Sequence, residues 1–206
     1  MQTMTVPYFA QWESRDLVSA FLSGKLHPSD DPLWHLSGAS DPDEYAEWSP
    51  HMCGMACLKM LLAQQRKQVI PTIALMKECR EYGGYVVNED GAIKGLIYRP
   101  FVRFIADVFG LQAEVKEHTP VEDVCRWLEQ GHVFIASVHP SIRTPEKIPP
   151  HPGGHLVYVF GRDKERREVI FHNPSGDTRA SQEQVRLNEA VFARFYAQRG
   201  ILIQLG

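Results

Sequence analysis

The hydrophobic pattern changes once along the chain, and this change constrains the fold more than any other feature. Up to Gly131 the apolar residues recur mostly at helical spacing, in segments that glycines close. Three runs rich in β-branched and aromatic residues follow, "HVFIASVH", "HLVYVFGR" and "EVIFHNP". A helical half followed by a strand-rich half is typical of α+β proteins, in which helices pack on an antiparallel sheet. Neither a repeat nor a linker divides the chain, so we expect one domain over residues 1–206.

Glycine, proline and capping residues set the ends of the predicted helices. The first helix begins at Ser14, a good N-cap residue, and ends at Gly24. Residues 27–48 show no helical period, and they predict a loop insertion at about residues 25–50. The other predicted elements are helices at 53–65, 71–83, 99–110, 119–131 and 187–198, an edge strand at 111–118 and a final strand at 200–205.

The composition argues against several classes of protein. The net charge is −3 and the pI is near 6.3, whereas nucleic-acid-binding proteins usually carry a basic surplus. No apolar run approaches the ~20 residues that span a bilayer, and the opening "MQTMTVPYFAQW" lacks the regions of a signal peptide. We therefore expect a cytoplasmic protein with no membrane and no nucleic-acid partner. Its reduced cysteines would be Cys53, Cys57, Cys79 and Cys125.

The stretch "SPHMCGMACLKMLLA" contains the strongest candidate for a nucleophile. Cys53 lies at the start of a predicted buried helix, where unpaired backbone N–H groups and the helix dipole favour a thiolate. Gly54 places no side chain beside it, so a substrate carbonyl has room to approach. Cys57 lies one turn further into the helix and is the poorer nucleophile.

A base and a residue that orients it are found at two strand ends. His155 follows two glycines and begins a strand that is apolar on both faces, which predicts a central position in the sheet. Asn173 ends the next strand, and a hairpin between the two strands would bring it beside His155. An amide in that place can orient the imidazole by accepting its Nδ1 proton, as in a Cys-His-Asn set.

Four short motifs in this order, "VPYFAQ", "CGMACLKMLL", "GGHLVYVFGRD" and "FHNPSG", resemble the papain-like cysteine peptidases of the bacteriocin-processing type. Members of that family cleave leader peptides after a double glycine, and it has many stand-alone relatives. The resemblance implies a papain-like fold and a peptide or amide substrate, a leader peptide among the options, with no cofactor. It also implies the roles of four residues: Cys53 as nucleophile, His155 as general base, Asn173 as the third member, and Gln11 as oxyanion-hole donor beside the Cys53 N–H.

The segment between Gln11 and Cys53 is a departure from that family. Here 41 residues lie between the two, whereas only a few residues separate them in the exporter-linked peptidases. The intervening segment carries three aromatic residues, Trp34, Tyr45 and Trp48, for which we consider two roles: a substrate wall or lid, and local packing. On the other side of the cleft, Gly154 in the proline-rich loop 140–154 is expected to keep the rim thin enough for an extended peptide.

Other functions use the same residues. Passing the acyl group to an amine instead of water would make the protein an acyl or peptidyl transferase with the same triad. A catalytically silent, peptide-binding module of this fold is a second alternative, although such modules usually lose the cysteine or the histidine. Cys53 and Cys57 as inert core thiols is the third. The sequence carries no signal for an oligomeric state.

A zinc site is the least favoured interpretation. Cys53 and Cys57 together with His151 and His155 offer four soft ligands. Structural zinc usually takes more closely spaced cysteines, and "HPGGH" cannot form the helix that would bring its two histidines together. We therefore expect no metal ligands in this chain.

Overall fold

The computed structural model describes residues 6–206. Residues 1–5 lie outside this range; they are the first five of the opening segment "MQTMTVPYFAQW", which lacks a signal-peptide pattern. Within the described range there are eight α-helices and eight strands, joined by several short 3-10 helices. The helices are α1 Val18–Leu22, α2 Pro42–Trp48, α3 Cys53–Arg66, α4 Thr72–Glu81, α5 Tyr98–Phe109, α6 Val121–Glu129, α7 Arg179–Gln182 and α8 Glu189–Phe195. The strands are β1 Val86–Val87, β2 Ile93–Lys94, β3 Gln112–Lys116, β4 Val133–Val138, β5 His155–Asp163, β6 Glu168–His172, β7 Val185–Asn188 and β8 Tyr196–Gln204.

A six-stranded antiparallel sheet organises the second half of the chain. Its strand order is β3-β8-β4-β5-β6-β7, while β1 and β2 form a separate two-stranded sheet. β3 lies at an edge, as predicted, and β5 lies inside the sheet between β4 and β6. The α+β class is therefore confirmed, and His155 begins an internal strand. Across the residues described, no helix has both the length and the apolar composition to cross a membrane.

Both faces of the sheet are covered, because the side chains of β5 alternate between two cores. Leu156 and Tyr158 pack into the core that contains α3, α4 and α5. Val157 and Val159 pack into a second core with residues of α6 and α8. The sequence predicted helices on one face, and the structure adds α6 and α8 on the other. A strand that is apolar on both faces requires this arrangement, because each face must be removed from water.

The final predicted helix is too long. Residues 187–198 were expected to be helical, but α8 stops at Phe195 and Tyr196–Gln204 is strand β8. β8 pairs with β4 on one side and β3 on the other, so it gains two ladders of backbone hydrogen bonds. Gly200 permits this close pairing, because a Cβ at that position would lie 2.3 Å from the carbonyl oxygen of Ile135.

The predicted loop insertion is ordered and partly helical, which corrects the expectation for residues 27–48. α2 lies within it, and so does a buried carboxylate, Asp31, of which only 1% is exposed. Oδ2 of Asp31 accepts hydrogen bonds from the N–H of Ser14 at 3.1 Å and the hydroxyl of Tyr45 at 2.5 Å. Oδ1 accepts from the N–H of Leu33 at 2.9 Å and the hydroxyl of Ser14 at 2.5 Å. Asp31 thus connects the N-terminal segment around Ser14 to the insertion.

We expect Asp31→Asn to destabilise the protein although the two side chains have the same shape. Each carboxylate oxygen of Asp31 accepts one backbone N–H, so the new amide group opposes a donor in either orientation. A buried donor without an acceptor costs about 1–3 kcal/mol, and urea unfolding should show a loss of this size. The exposed neighbour Asp30 provides the matched control, because Asp30→Asn should leave the midpoint unchanged. Equal midpoints for Asp31→Asn and the wild type would contradict the role given to this carboxylate.

Candidate active site

Cys53 is the first residue of α3, and a 3-10 helix at Ser49–His51 leads the chain to it. The side chain is half-buried and lines a cavity of about 280 Å³. The cavity is shared by His155 and Leu156 at the start of β5. The structure therefore brings the predicted nucleophile and the predicted base to one cavity, although 101 residues separate them in the chain.

Cys57, one turn further along α3, has a different environment. It is fully buried, does not line the cavity, and its Sγ lies 3.9 Å from the carbonyl oxygen of Leu156. Burial raises the pKa of the Cys57 thiol well above its ordinary value, and the nearby Cys53 sulfur adds to the effect. The two cysteines are thus distinguished by position, with Cys53 at the cavity and Cys57 in the core.

His155 is held by Asn173, but through the other ring nitrogen from the one expected. The imidazole is 6% exposed, and its Nε2 lies 2.8 Å from Oδ1 of Asn173. The prediction that Nδ1 makes this contact is therefore wrong. Antiparallel pairing of β5 and β6 brings the end of β6 beside the start of β5, so the predicted hairpin does place the two residues together.

The contacts of Asn173 determine which nitrogen of His155 carries the proton. Oδ1 of Asn173 also accepts the backbone N–H of Ser175 at 3.1 Å, which identifies that atom as the oxygen of the amide. Nε2 of His155 must then be the donor in the 2.8 Å contact. Nδ1 consequently keeps a free lone pair and is the nitrogen that can accept a proton. The Nδ2 atom of Asn173 is buried and has no hydrogen-bond partner among the described residues.

Ser175 and Arg143, neither of which was predicted as a site residue, extend this network. The hydroxyl of Ser175 lies 3.0 Å from Nε2 of His155 and accepts a hydrogen bond from Nη2 of Arg143, also at 3.0 Å. Nε of Arg143 donates to the carbonyl oxygen of Pro140 at 3.0 Å. Ser175 follows the "HNP" motif by one residue, which is a usable signal, whereas Arg143 lies in the proline-rich loop with no motif around it.

Burial favours the neutral form of both members of the pair. It raises the pKa of the Cys53 thiol, although the backbone N–H groups of Leu156, Gly54 and Cys53 itself oppose this change. Burial also lowers the pKa of His155 to about 4, opposed by the hydrogen bond to Asn173 and assisted by the positive charge of Arg143. A neutral thiol and a neutral imidazole are therefore the favoured resting state of this site near pH 7.

Gln11 lies beside the start of α3 in spite of the long insertion. Its side chain is 5% exposed, and its Nε2 donates to the carbonyl oxygens of Ser49 at 3.2 Å and Pro50 at 3.0 Å. Its backbone N–H donates to the carbonyl oxygen of Pro174 at 2.9 Å. Gln11 thus contacts both the segment that leads to Cys53 and the segment that follows Asn173.

The residues expected to bind substrate differ in their placement. Gly154 has a φ of +99° and lines the cavity before His155. A Cβ at Gly54 would lie 2.6 Å from Cδ2 of Leu96, so the missing side chain makes room for a leucine of the protein. Trp48 is 4% exposed and packs on the ring of Tyr85 at 6.1 Å. Trp34 is half-buried against the core of α3, and neither tryptophan lines this cavity.

Four polar residues in the cavity wall were not expected from the sequence: His51, Tyr98, Ser137 and Arg199. His51 ends the 3-10 helix that leads to Cys53, Tyr98 begins α5, Ser137 lies in β4 and Arg199 lies in β8. They come from separate elements with no shared motif, so their proximity follows only from the tertiary fold. No group of three or more His, Cys, Asp or Glu side chains within residues 6–206 is arranged to hold a metal ion. His151, one of the four ligands considered for zinc, packs with its ring 4.9 Å from that of His139.

Two solved structures share this fold. The peptidase domain of ComA from Streptococcus, described as a bi-functional ABC transporter involved in a quorum-sensing pathway, superposes with a TM-score of 0.52 at 15% identity. The match covers 76% of this chain and 93% of that domain. A protein from Bacillus anthracis assigned as a C39-like peptidase superposes with a TM-score of 0.55 at 14% identity, covering 76% of this chain and 90% of the other. The expected papain-like fold is thereby confirmed.

Family membership rests on the sequence as well as on the fold. The model of the Peptidase_C39 like family matches residues 4–202, nearly the whole chain. No curated protein sequence matches significantly. The resemblance inferred from the four motifs is confirmed at the level of the family, and so is the expected class of enzyme, a cysteine peptidase. The chain belongs to the Peptidase_C39 like family.

Proposed function

We propose that this protein hydrolyses peptide or amide bonds with Cys53 as nucleophile, His155 as general base and Asn173 as the residue that orients His155. One observation carries the proposal: the 2.8 Å contact of Nε2 of His155 with Oδ1 of Asn173, in the wall of a cavity that Cys53 also lines. This contact leaves Nδ1 of His155 as the proton acceptor. A histidine that served only to fill the core would not be expected to line a cavity together with a thiol.

The reaction follows the chemistry of a neutral pair. Sγ of Cys53 attacks the substrate carbonyl carbon while Nδ1 of His155 takes the thiol proton. The imidazolium then gives this proton to the leaving nitrogen, the C–N bond breaks, and a thioester on Cys53 remains. Water attacks the thioester as Nδ1 removes its proton, which releases the carboxylic acid product and restores the thiol. Asn173 keeps the ring oriented in both steps, because its oxygen holds the opposite nitrogen.

Gln11 is the proposed oxyanion donor, together with the backbone N–H of Cys53. Both hydrogens of its amide are engaged by the carbonyl oxygens of Ser49 and Pro50. Donation to an oxyanion therefore exchanges one of these bonds, and the 3.2 Å bond to Ser49 is the longer of the two. An anionic acceptor forms a stronger hydrogen bond than a neutral carbonyl, which favours this exchange as charge develops on the substrate.

We further infer a cytoplasmic location. All four cysteines are free thiols, and three of them are buried. Free thiols persist in compartments where glutathione and thioredoxin keep them reduced. Localisation of a tagged full chain by cell fractionation checks this inference.

Replacing Cys53 should abolish hydrolysis, whereas replacing Cys57 should not. For a nucleophile that acts as a unit with its base, Cys53→Ser should lower kcat at least about 10³-fold. Cleavage of a peptide library, followed by mass spectrometry, measures this loss. Cys57→Ser is the matched control, because the same atoms change in a thiol that does not line the cavity. Equal loss of activity in the two variants would contradict the role of Cys53.

The pH dependence should report a neutral resting pair. The base must be unprotonated, so kcat/KM should rise as pH passes the lowered pKa of His155, about 4. It should then stay level through neutral pH, because the pKa of Cys53 is raised and the thiol keeps its proton there. A rising limb at ~6.5, the ordinary histidine value, would be inconsistent with the effect of burial on His155.

Asn173→Asp should keep activity and move the acid limb of the profile to higher pH. Nδ2 of Asn173 has no partner among the described residues, so replacing it with oxygen loses no hydrogen bond there. The new carboxylate faces Nε2 of His155 and stabilises the imidazolium, which should raise the acid limb by about 1–2 pH units. Asn173→Ala is the contrasting variant, because it removes the orienting oxygen and should lower kcat. An unmoved limb in Asn173→Asp would show that Asn173 does not contact the catalytic base in solution.

A further inference from the structure

The cavity at Cys53 and His155 continues into a second, larger cavity. The second cavity has a volume of about 670 Å³ and shares Gly95, Leu96, Tyr98 and Arg199 with the first. It extends past the loop that follows β2 and the first turn of α5. The two adjoining cavities therefore offer a substrate that reaches the reacting pair a path along the protein surface on the side of β3 and β8.

The charges along this path are mostly positive. Lys94, Arg99 and Arg199 line it, and Glu117 is the only acidic residue in the lining. All three cations are exposed, and none forms an ion pair with any residue in the range 6–206. We call this path the basic groove, defined by Lys94, Arg99 and Arg199. Some other arginines of the chain are engaged by carboxylates, for example Arg162 by Glu189.

Of the three cations of the basic groove, Arg199 borders the cavity that contains the reacting pair. It is the only one of the three that lines both cavities. A Cβ placed on Gly153 would lie 3.5 Å from Nη2 of Arg199 and 3.4 Å from Oγ of Ser137. The guanidinium therefore lies close to the glycine rim that precedes His155.

We propose that the basic groove binds acidic side chains of the peptide substrate close to the scissile bond, with Arg199 making the first contact. The inference rests on the proposed peptidase function and adds the substrate class. An unpaired guanidinium beside hydroxyl groups matches a carboxylate, which accepts two parallel N–H bonds from arginine. An amide of the same shape offers one acceptor and no charge, so Asp and Asn substrates should be distinguished.

The overall charge of the protein strengthens this argument. The net charge is −3, so the protein as a whole does not attract acidic peptides. The groove instead carries three cations against one carboxylate, Glu117, and this local positive excess attracts such peptides to the site. Because these side chains are exposed, the attraction should weaken as salt screens it.

Matched peptides test the proposal directly. Cleaved sequences from a library, capped at both ends, are resynthesised with Asp or Asn at each position flanking the scissile bond. An exposed ion pair changes binding roughly 2–5-fold, so we expect kcat/KM to favour Asp by that factor per occupied cation, mainly through KM. The Asp-to-Asn ratio should fall when sodium chloride is raised from low to high concentration. A ratio of one at every position and salt concentration would overturn the proposal.

Variants connect the preference to the groove. Arg199→Gln should bring the Asp-to-Asn ratio close to one at the position nearest the scissile bond. Lys164→Gln is the matched control, because it removes the same charge from an exposed lysine on the β5–β6 turn, outside the groove. If Arg199→Gln keeps the wild-type ratio, the proposal is wrong for Arg199. A second series of peptides has a free C-terminus. If cleavage depends on charge only in that series, the groove recognises the C-terminal carboxylate of the peptide, and the proposal for acidic side chains is overturned.

A binding measurement separates this inference from the proposed reaction. The Cys53→Ser protein is titrated with fluorescein-labelled, capped Asp and Asn peptides, and anisotropy gives the two Kd values. Tighter binding of the Asp peptide, lost in Cys53→Ser/Arg199→Gln, supports the groove even if no peptide is cleaved by the wild type. Cleavage by the wild type with equal Kd and equal kcat/KM for both peptides would preserve the peptidase function and remove the proposed substrate class.

Discussion

The close packing of the start of α3 on the start of β5 is the contact on which the site depends. The two cysteines of α3 lie on either side of the Leu156 backbone: its N–H faces the sulfur of Cys53, and its carbonyl oxygen accepts from Cys57. Gly54 lies between the cysteines, where a Cβ would come within 3.2 Å of Cδ1 of Leu156. Since His155 precedes Leu156 in the chain, bringing the strand to the helix also brings the proposed base to the cavity of the proposed nucleophile.

This packing has an electrostatic consequence. Burial raises the pKa of the Cys53 thiol and lowers the pKa of the His155 imidazole, so both groups favour their neutral forms. The positive charge of Arg143 further disfavours an imidazolium. A neutral pair separates charge only when a substrate is present to use it. Asn173 and Ser175 hold the ring by one nitrogen, so little reorganisation is needed when the other nitrogen accepts a proton. Preorganisation of this kind requires both halves of the chain, because the cysteine comes from the helical half and the remaining groups from the sheet.

The insertion does not separate the N-terminal segment, which contains Gln11 and Ser14, from the candidate active site. Asp31 links Ser14 to the inserted segment by accepting four hydrogen bonds, two from Ser14 and one each from Tyr45 and Leu33. Gln11 contacts Pro50 on one side and Pro174 on the other, so one residue joins the approach to Cys53 with the turn after Asn173. Ordered polar contacts within a segment of this length keep its ends close, which loop length alone would not do.

Local chemistry along the chain determined the class of the fold and the short list of reactive groups. The change from helical spacing to strand alternation, and the motifs around Cys53, His155 and Asn173, depend on near neighbours in sequence and are readable there. Tertiary structure decided the rest. Strand pairing ended the last helix at Phe195, packing buried Trp48, and the contact between β5 and β6 selected Nε2 of His155 as the nitrogen held by Asn173. The position of Arg199 beside the rim of the cavity follows only from the strand order β8-β4-β5, because pairing between distant strands is a property of the whole sheet.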